Sequence, residues 1–105
     1  MQTFTLTILN GSRRGTVIPL VGIVQVGKRS DADLCLEDPG ISWNHARIEE
    51  KGEKLWIADL GSTNGTFLNG EKIGSEWTPL PMGVHLAFAK IEGKVDSAIP
   101  VPKEP

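Results

Sequence analysis

The segment DLGSTNGTFLNG, residues 59–70, contains two Asn-Gly pairs separated by three residues. Asn-Gly strongly favours a tight turn because both residues tolerate a positive φ angle. The sequence therefore predicts that the chain reverses direction twice within a few residues, once at Asn64-Gly65 and again at Asn69-Gly70.

Two hydroxyl side chains, Ser62 and Thr63, lie just before the first turn in a loop with no apolar side chain between Leu60 and Phe67. Small hydroxyls and bare backbone N–H groups can converge on several oxygens of one anion. The alternative is an ordinary turn in which Ser and Thr bond to their own backbone. This segment alone leaves both interpretations open.

The composition is that of one folded domain. The chain has 105 residues, of which 39% are hydrophobic and 23% charged, a balance typical of a globular protein with a continuous core. Its single cysteine, Cys35, excludes an intramolecular disulfide and leaves no zinc cluster. No residue pattern indicates a cofactor or another metal site.

The charge and hydropathy patterns limit the classes of partner. No apolar run approaches the ~20 residues needed to cross a bilayer, and the polar start MQTFT does not resemble a signal peptide. We therefore expect no membrane insertion and an intracellular, cytoplasmic location. A formal net charge of −2 argues against a nucleic-acid binder, which needs a clustered basic surface. Any anion site must be local.

Alternation of apolar and polar residues predicts β-strands. Phe4, Leu6 and Ile8 alternate with threonines, and no segment repeats apolar residues with a helical period. Strands of this kind, separated by turns, recur along the chain and predict an all-β sandwich or barrel with loops gathered at its ends. The strand that contains Pro19 is expected at a sheet edge, because proline cannot donate a ladder hydrogen bond.

The end of the chain has a different composition. Residues 97–105 contain three prolines together with Lys103 and Glu104. We therefore divide the chain into a folded domain, residues 1–96, and a Pro-rich linker or tail, residues 97–105. Such an end is typical of a domain that belongs to a longer polypeptide.

Three polar loops, each next to a predicted strand, carry the candidate binding groups. They are residues 27–30, 41–45 and 61–64. Because successive strands tend to be neighbours, these loops are expected to meet at one end of the sandwich. Their cations, hydroxyls and amides together suit a single phosphate group.

The motifs in these loops are GK at 27–28, SWNHA at 42–46 and LGSTNGT at 60–66. With these motifs and their spacing, the sequence from Phe4 to about Val95 resembles the forkhead-associated (FHA) domain family. The resemblance implies an eleven-stranded antiparallel β-sandwich with ligand-binding loops at one end. It also implies a phosphothreonine-dependent peptide- or protein-binding module of intracellular signalling.

The resemblance also implies roles for individual residues. Lys28, Ser42 and Thr63 would contact the phosphate, and Asn64 would hold the peptide backbone. Residues that shape the site without touching the ligand would be Gly27, His45, Ser62 and Gly65. The implied partner is a phosphothreonine-containing protein, a kinase substrate.

The sequence departs from the family pattern at two positions. The family usually has Arg where this chain has Lys28, and Lys offers a point charge in place of a planar pair of donors. Arg29 follows directly and is a further candidate for phosphopeptide binding, although alternation in an extended segment directs it to the opposite face. Trp43 stands where the family often has Arg or Asn, and it offers an apolar or stacking surface to the peptide.

Parts of the sequence are also compatible with two other function classes. An FHA scaffold that mediates protein assembly without phosphate is one alternative, favoured by Lys28 and Trp43. An enzyme is the other, since Ser42, His45 and Asp59 are formally a nucleophile, a base and an acid. The strained Gly-x-Ser-x-Gly turn is missing, and nothing indicates an oxyanion hole, so no catalytic activity is expected.

Three further residues have structural interpretations. Trp56 and Trp77 alternate with or flank apolar positions, which predicts packing in the core or on a sheet face. His85 lies in a predicted strand opposite the apolar face formed by Val84, Leu86 and Phe88, so it is expected to be exposed.

Overall fold

The computed structural model describes residues 3–98, and every regular element in this part of the chain is a β-strand. Eleven strands follow one another: β1 Thr3–Ile8, β2 Val17–Pro19, β3 Ile23–Gly27, β4 Leu34–Cys35, β5 Ala46–Lys51, β6 Lys54–Asp59, β7 Thr66–Leu68, β8 Glu71–Lys72, β9 Thr78–Pro79, β10 His85–Phe88 and β11 Ile91–Ala98. The predicted all-β class and the implied number of strands are both confirmed.

The strands form two sheets that enclose the core. One sheet has six strands in the order β2-β1-β11-β10-β7-β8, and the other has five in the order β4-β3-β5-β6-β9. Paired strands are antiparallel except β3 and β4, which run parallel where Val26 faces Leu34. The strand with Pro19, β2, is an edge strand as predicted.

The core is built from the alternating apolar residues of both sheets. Phe4, Leu6 and Ile8 of β1 are 6%, 0% and 1% exposed, whereas Thr5 and Thr7 on the opposite face are only half-buried. Side chains in a strand point alternately to opposite faces, so a period of two places one face in the core. Each buried aliphatic or aromatic side chain contributes about 1.5–3 kcal/mol relative to an exposed one.

The two Asn-Gly pairs adopt different backbone conformations. Asn69 and Gly70 have φ angles of 49° and 87° and form the tight turn between β7 and β8, as predicted. At the first pair only Gly65 has a positive φ, 90°, and the chain crosses there from one sheet to the other. The strands on either side of Asn64-Gly65, β6 and β7, therefore do not pair with each other as a hairpin. The Asn64 side chain is bonded here to a partner distant in sequence, the carbonyl of Gly40.

The aromatic and histidine side chains outside the core lie on the outer sheet faces. Trp77 is 46% exposed, and the guanidinium carbon of Arg47 lies 5.9 Å from its ring centroid. Trp56 is half-buried on the same sheet, so both tryptophans pack on a sheet face and neither belongs to the buried core. His85 is exposed as predicted, and its Nε2 is 2.8 Å from a carboxylate oxygen of Glu92.

The last strand ends at Ala98, and its residues 93–98 pair with the first strand. The predicted Pro-rich tail, residues 97–105, lies outside the described residues from position 99 onwards, so the proposed boundary stays a prediction. Residues 3–98 contain no helix that is long and apolar enough to cross a membrane.

Candidate functional site

The three polar loops singled out in the sequence lie against one another at one end of the sandwich. The backbone N–H of Lys28 donates to the carbonyl of Ser42 at 3.0 Å, which joins the first loop to the second. The N–H of Thr63 donates to the Ser42 hydroxyl, also at 3.0 Å, which joins the second loop to the third. The structure therefore brings together residues separated by up to thirty-five positions, as the neighbouring-strand argument predicts.

His45 connects two of these loops from inside the protein. Its side chain is fully buried, and its ring lies edge-on to Phe88 with centroids 5.9 Å apart. The N–H of Ser42 donates to Nδ1 at 3.1 Å, and Nε2 is 2.9 Å from the carbonyl of Gly65. A carbonyl can only accept and a backbone N–H can only donate, so Nε2 is the donor and Nδ1 the acceptor in this pair of bonds. This is the geometry of a brace between the two loops.

Asp59 organises the loop that follows it, a role that we did not assign from the sequence. One carboxylate oxygen accepts the backbone N–H groups of Gly61 and Ser62, each at 2.9 Å. The other accepts the hydroxyls of Ser62 and Thr66. Burial by itself would raise the pKa of this carboxyl, but the hydrogen bonds from Ser62 and Thr66 outweigh it and the pKa is lowered.

A local sequence signal for this role does exist. Asp commonly accepts a hydrogen bond from the backbone two residues ahead, and here Gly61 and Ser62 stand two and three residues after Asp59. The hydroxyl of Ser62 then accepts the N–H of Gly65 at 2.9 Å. The predicted supporting residues Ser62 and Gly65 are thus parts of one chain of hydrogen bonds that begins at the carboxylate.

Gly27 permits a very close approach between two loops. A Cβ atom at this position would lie 2.1 Å from the carbonyl oxygen of Trp43, a separation that real atoms do not reach. Hydrogen bonds on either side of Trp43 hold the same contact, from Lys28 to Ser42 and from His45 to the carbonyl of Val26. The backbone that carries Trp43 is therefore fixed to the end of β3.

An open cleft of about 530 Å³ lies between the second and third loops. It is lined by Gly40, Ile41, Ser42, Trp43, Asn44, Leu60, Gly61, Thr63 and Asn64. Four of the six residues predicted to bind a phosphopeptide are in this lining, and none of the nine lining side chains carries a charge. A second opening of about 500 Å³ shares Gly40 and Asn64 with it and is completed by Pro39, Phe67, Ala89 and Lys90.

The two predicted cations have different surroundings. Lys28 is bound to the cleft through its backbone, while its side chain is exposed and is not part of the lining. The guanidinium of Arg29 binds both carboxylate oxygens of Asp31 and donates to the side-chain oxygen of Asn44 at 3.0 Å. These hydrogen bonds from Arg29 lower the pKa of the Asp31 carboxyl. Arg29 is thus already neutralised by a partner, and Lys28 has none among the described residues.

The groups around the cleft suit an oxyanion on a polypeptide. Ser42 and Thr63 supply hydroxyls, and the Asn64 amide donates to the carbonyl of Gly40 at 2.9 Å while its oxygen remains available as an acceptor. Within residues 3–98, no three or more His, Cys, Asp and Glu side chains are placed to hold a metal ion.

This chain is similar to known proteins in both sequence and fold. A family model described as the FHA domain matches residues 24–89. The FHA domain-containing protein FhaB of Mycolicibacterium smegmatis is 35% identical over 86 residues, which are 81% of this chain and 55% of FhaB. The chain therefore spans about half the length of this curated relative.

Two solved structures share the fold over nearly the whole chain. One, from a study of phosphothreonine-dependent FHA domain interactions, has 32% identity and a TM-score of 0.80, and covers 90% of this chain and 95% of its own. The other, an FHA domain from Chlamydia trachomatis, has 28% identity and a TM-score of 0.85, and covers 92% of this chain and 99% of its own.

Substituting Gly27 tests the close approach between the loops. The methyl group of Gly27→Ala would collide with the Trp43 carbonyl, so we expect a loss of about 1–3 kcal/mol in unfolding free energy, measured by urea denaturation. Gly74→Ala is the matched control, because a Cβ there meets no heavy atom within 4 Å and no positive φ is involved. Equal stability of the two variants would contradict the described contact.

Acidification tests the role of the Asp59 carboxylate. Because its pKa in the folded state lies below the unfolded value of about 3.9, the carboxylate stabilises the fold above that pH, and the stabilisation is lost as pH falls through the folded pKa. We expect Asp59→Asn to cost about 1–3 kcal/mol at neutral pH. The difference from the parent protein should shrink when unfolding is measured at increasingly acidic pH below about 4.

The control for this measurement is Asp96→Asn, the same chemical change in β11, where the carboxylate accepts no hydrogen bond from any described residue. A gap between Asp59→Asn and the parent that stayed constant down to the acidic limit would show that the charge of Asp59 is not what holds the loop.

Proposed function

The chain belongs to the forkhead-associated domain family, and we propose that it binds proteins that carry phosphothreonine, through the cleft between its polar loops. One observation carries the proposal. The Thr63 N–H is bound to the Ser42 hydroxyl at 3.0 Å, so the backbone of the third loop and the hydroxyl of the second lie at one point of the cleft. A phosphate group needs several donors converging in this way.

The directions of the hydrogen bonds in the cleft leave donors available for a phosphate and an acceptor available for a peptide N–H. Since the Ser42 oxygen accepts from Thr63, its own proton remains available for a phosphate oxygen. The Thr63 side chain is exposed and supplies a second hydroxyl. The remaining oxygen of the Asn64 amide would accept a peptide N–H, which fixes the peptide backbone beside the phosphate.

Lys28 is proposed to supply the positive charge. Its backbone is fixed to Ser42, and its side chain is exposed with no carboxylate bound to it among the described residues. A flexible ammonium group can move to a phosphate when one arrives, although it gives a point charge and not the paired donors of arginine. Arg29 is less suited because Asp31 already neutralises it.

The proposed function is binding without catalysis. Ser42, His45 and Asp59 are all engaged in other ways, since the Ser42 hydroxyl accepts from Thr63 and His45 bonds to backbone groups. The Asp59 carboxylate bonds to its own loop and not to the histidine. The proton relay of a serine hydrolase needs these three side chains hydrogen-bonded to one another.

The proposal extends to the partner and the location. The partner would be a protein phosphorylated on threonine by a kinase, encountered inside the cell, in the cytoplasm. Because the chain spans 55% of the length of FhaB, the activity of any longer protein that contains this domain is a separate question.

One observation favours the alternative, an FHA scaffold that binds its partner without phosphate. None of the nine residues lining the cleft is charged, and Lys28 is outside the lining. If the domain is such a scaffold, the cleft binds an unmodified peptide nearly as well as a phosphorylated one. A comparison of the two peptide forms therefore separates the functions.

Calorimetry with matched peptides tests the proposed function. A degenerate phosphothreonine peptide library gives the best-bound sequence, which is then titrated with and without its phosphate. We expect micromolar binding of the phosphorylated form, about −8 kcal/mol, and much weaker binding of the other. Added salt should weaken the phosphorylated complex, because part of the attraction is between exposed charges. Equal affinities would establish the scaffold function instead.

Single substitutions identify the phosphate-binding cation. Lys28→Ala should cost about 1.5–3 kcal/mol of binding, or roughly ten- to a hundred-and-fifty-fold, as expected for a hydrogen bond to a charged group. Arg29→Ala should change affinity by less than about fivefold, because that side chain is half-buried and already paired with Asp31. Lys28→Arg should tighten binding by restoring paired donors. Loss of binding in Arg29→Ala alone would mean that the cation is misassigned.

A further inference from the structure

The cleft has an apolar side that phosphate recognition does not use. Trp43 is 64% exposed, more than the other large hydrophobic side chains described, and it lines the cleft together with Leu60, which is 40% exposed. We infer that Trp43 and Leu60 form a contact for a large apolar side chain of the partner, next to the phosphothreonine. This inference rests on the proposed function.

The Trp43 ring is not used inside the protein. Trp77, the other strongly exposed tryptophan, is covered by the guanidinium of Arg47 at 5.9 Å. Trp43 has no such cation, and no aromatic ring stacks on it in residues 3–98. An uncovered indole gains stability when an apolar group removes it from water, which makes it a strong contact for a ligand.

The ring is carried by rigid backbone. The close approach at Gly27 and the hydrogen bonds that flank position 43 fix the chain on both sides of the tryptophan. A ligand that meets a side chain on ordered backbone does not have to order that backbone on binding, so more of the contact free energy appears as affinity.

The charges near this side favour an apolar neighbour over a charged one. Asn44, the residue after the tryptophan, accepts a hydrogen bond from Arg29. The guanidinium of Arg29 is also paired with the carboxylate of Asp31. No charged side chain of the described residues lines the cleft, so a charged peptide residue beside the phosphate would meet no side chain of opposite charge there. An aliphatic or aromatic residue has no charge whose hydration would be lost in the cleft.

This contact is distinct from the second opening beside the cleft. The opening shares only Gly40 and Asn64 with the cleft, and its own lining includes Lys90, Phe67 and Pro39. Neither Trp43 nor Leu60 is part of it. The Trp43 side is therefore a separate surface, and of the two it is the one without a cation in its lining.

The experiment compares peptides that differ at one position. Starting from the best phosphothreonine peptide of the library, each flanking residue in turn is made Leu, Ala or Asp, and affinities are measured by calorimetry. At one position we expect Leu to bind about tenfold more tightly than Ala, about 1.4 kcal/mol, and Asp to bind no better than Ala. Trp43→Ala should reduce the Leu-to-Ala ratio at that position to less than about twofold.

The control variant is Trp77→Ala, which removes an exposed tryptophan from a sheet face outside the cleft and should leave the Leu-to-Ala ratio unchanged. Met82→Ala, at a residue that is 54% exposed, is a second control in case loss of the Arg47 contact prevents folding. Tryptophan fluorescence gives an independent readout. The Leu peptide should shift the emission to shorter wavelength in the parent and in Trp77→Ala, and not in Trp43→Ala.

The outcomes separate this inference from the proposed function. Binding of the Ala-flanked phosphopeptide reports phosphothreonine recognition alone, whereas the Leu-to-Ala ratio reports the apolar contact. A ratio near one at every position, or a ratio that survives Trp43→Ala, would overturn the inference while leaving phosphothreonine binding intact. Failure of every phosphopeptide to bind would overturn both.

Discussion

The two hydrogen bonds of the buried His45 ring are the constraint on which the rest of the site depends. The Nδ1 atom accepts the backbone N–H of Ser42, in the loop before β5. The Nε2 atom bonds to the carbonyl of Gly65, just before β7. These segments lead into different sheets, so the ring sets the distance between the two walls of the cleft. A fully buried imidazole must have both nitrogens satisfied, since an unpaired buried group costs about 1–3 kcal/mol. The loops are therefore held where the ring requires them.

Hydrogen bonds within the loops also explain how a site with little charge can be well ordered. The Asp59 carboxylate satisfies four donors of its own loop, and the Ser62 hydroxyl passes the connection on to Gly65. Beneath them lies a sandwich whose alternating strands keep the backbone rigid. Loops on such a scaffold can carry recognition without losing their shape. The exposed groups, above all Trp43 and Thr63, are then the ones left to meet a partner.

Much of the fold could be predicted because its signals are local. Period-two alternation located the buried face of β1, and Asn69-Gly70 predicted the β7–β8 turn. The meeting of the three loops followed from strand order. Other features depend on partners that are distant in sequence. The Asn64 side chain is bonded to the carbonyl of Gly40, and the close approach of the Trp43 backbone depends on the missing side chain of Gly27. Arg29 has its partner two residues away, but its sequence does not reveal that Asn44 completes the pairing.

The hydrogen bonds around the first Asn-Gly pair also influence how the protein ages chemically. Asparagine before glycine is prone to deamidation, in which the following backbone nitrogen attacks the side-chain carbonyl. Here that nitrogen, of Gly65, has its hydrogen bound to Ser62, and the amide of Asn64 is tethered to Gly40. These hydrogen bonds oppose the attack of the Gly65 nitrogen on the Asn64 side-chain carbonyl. The loop architecture thus preserves a neutral amide at a point in the cleft where the carboxylate product would repel an incoming phosphate.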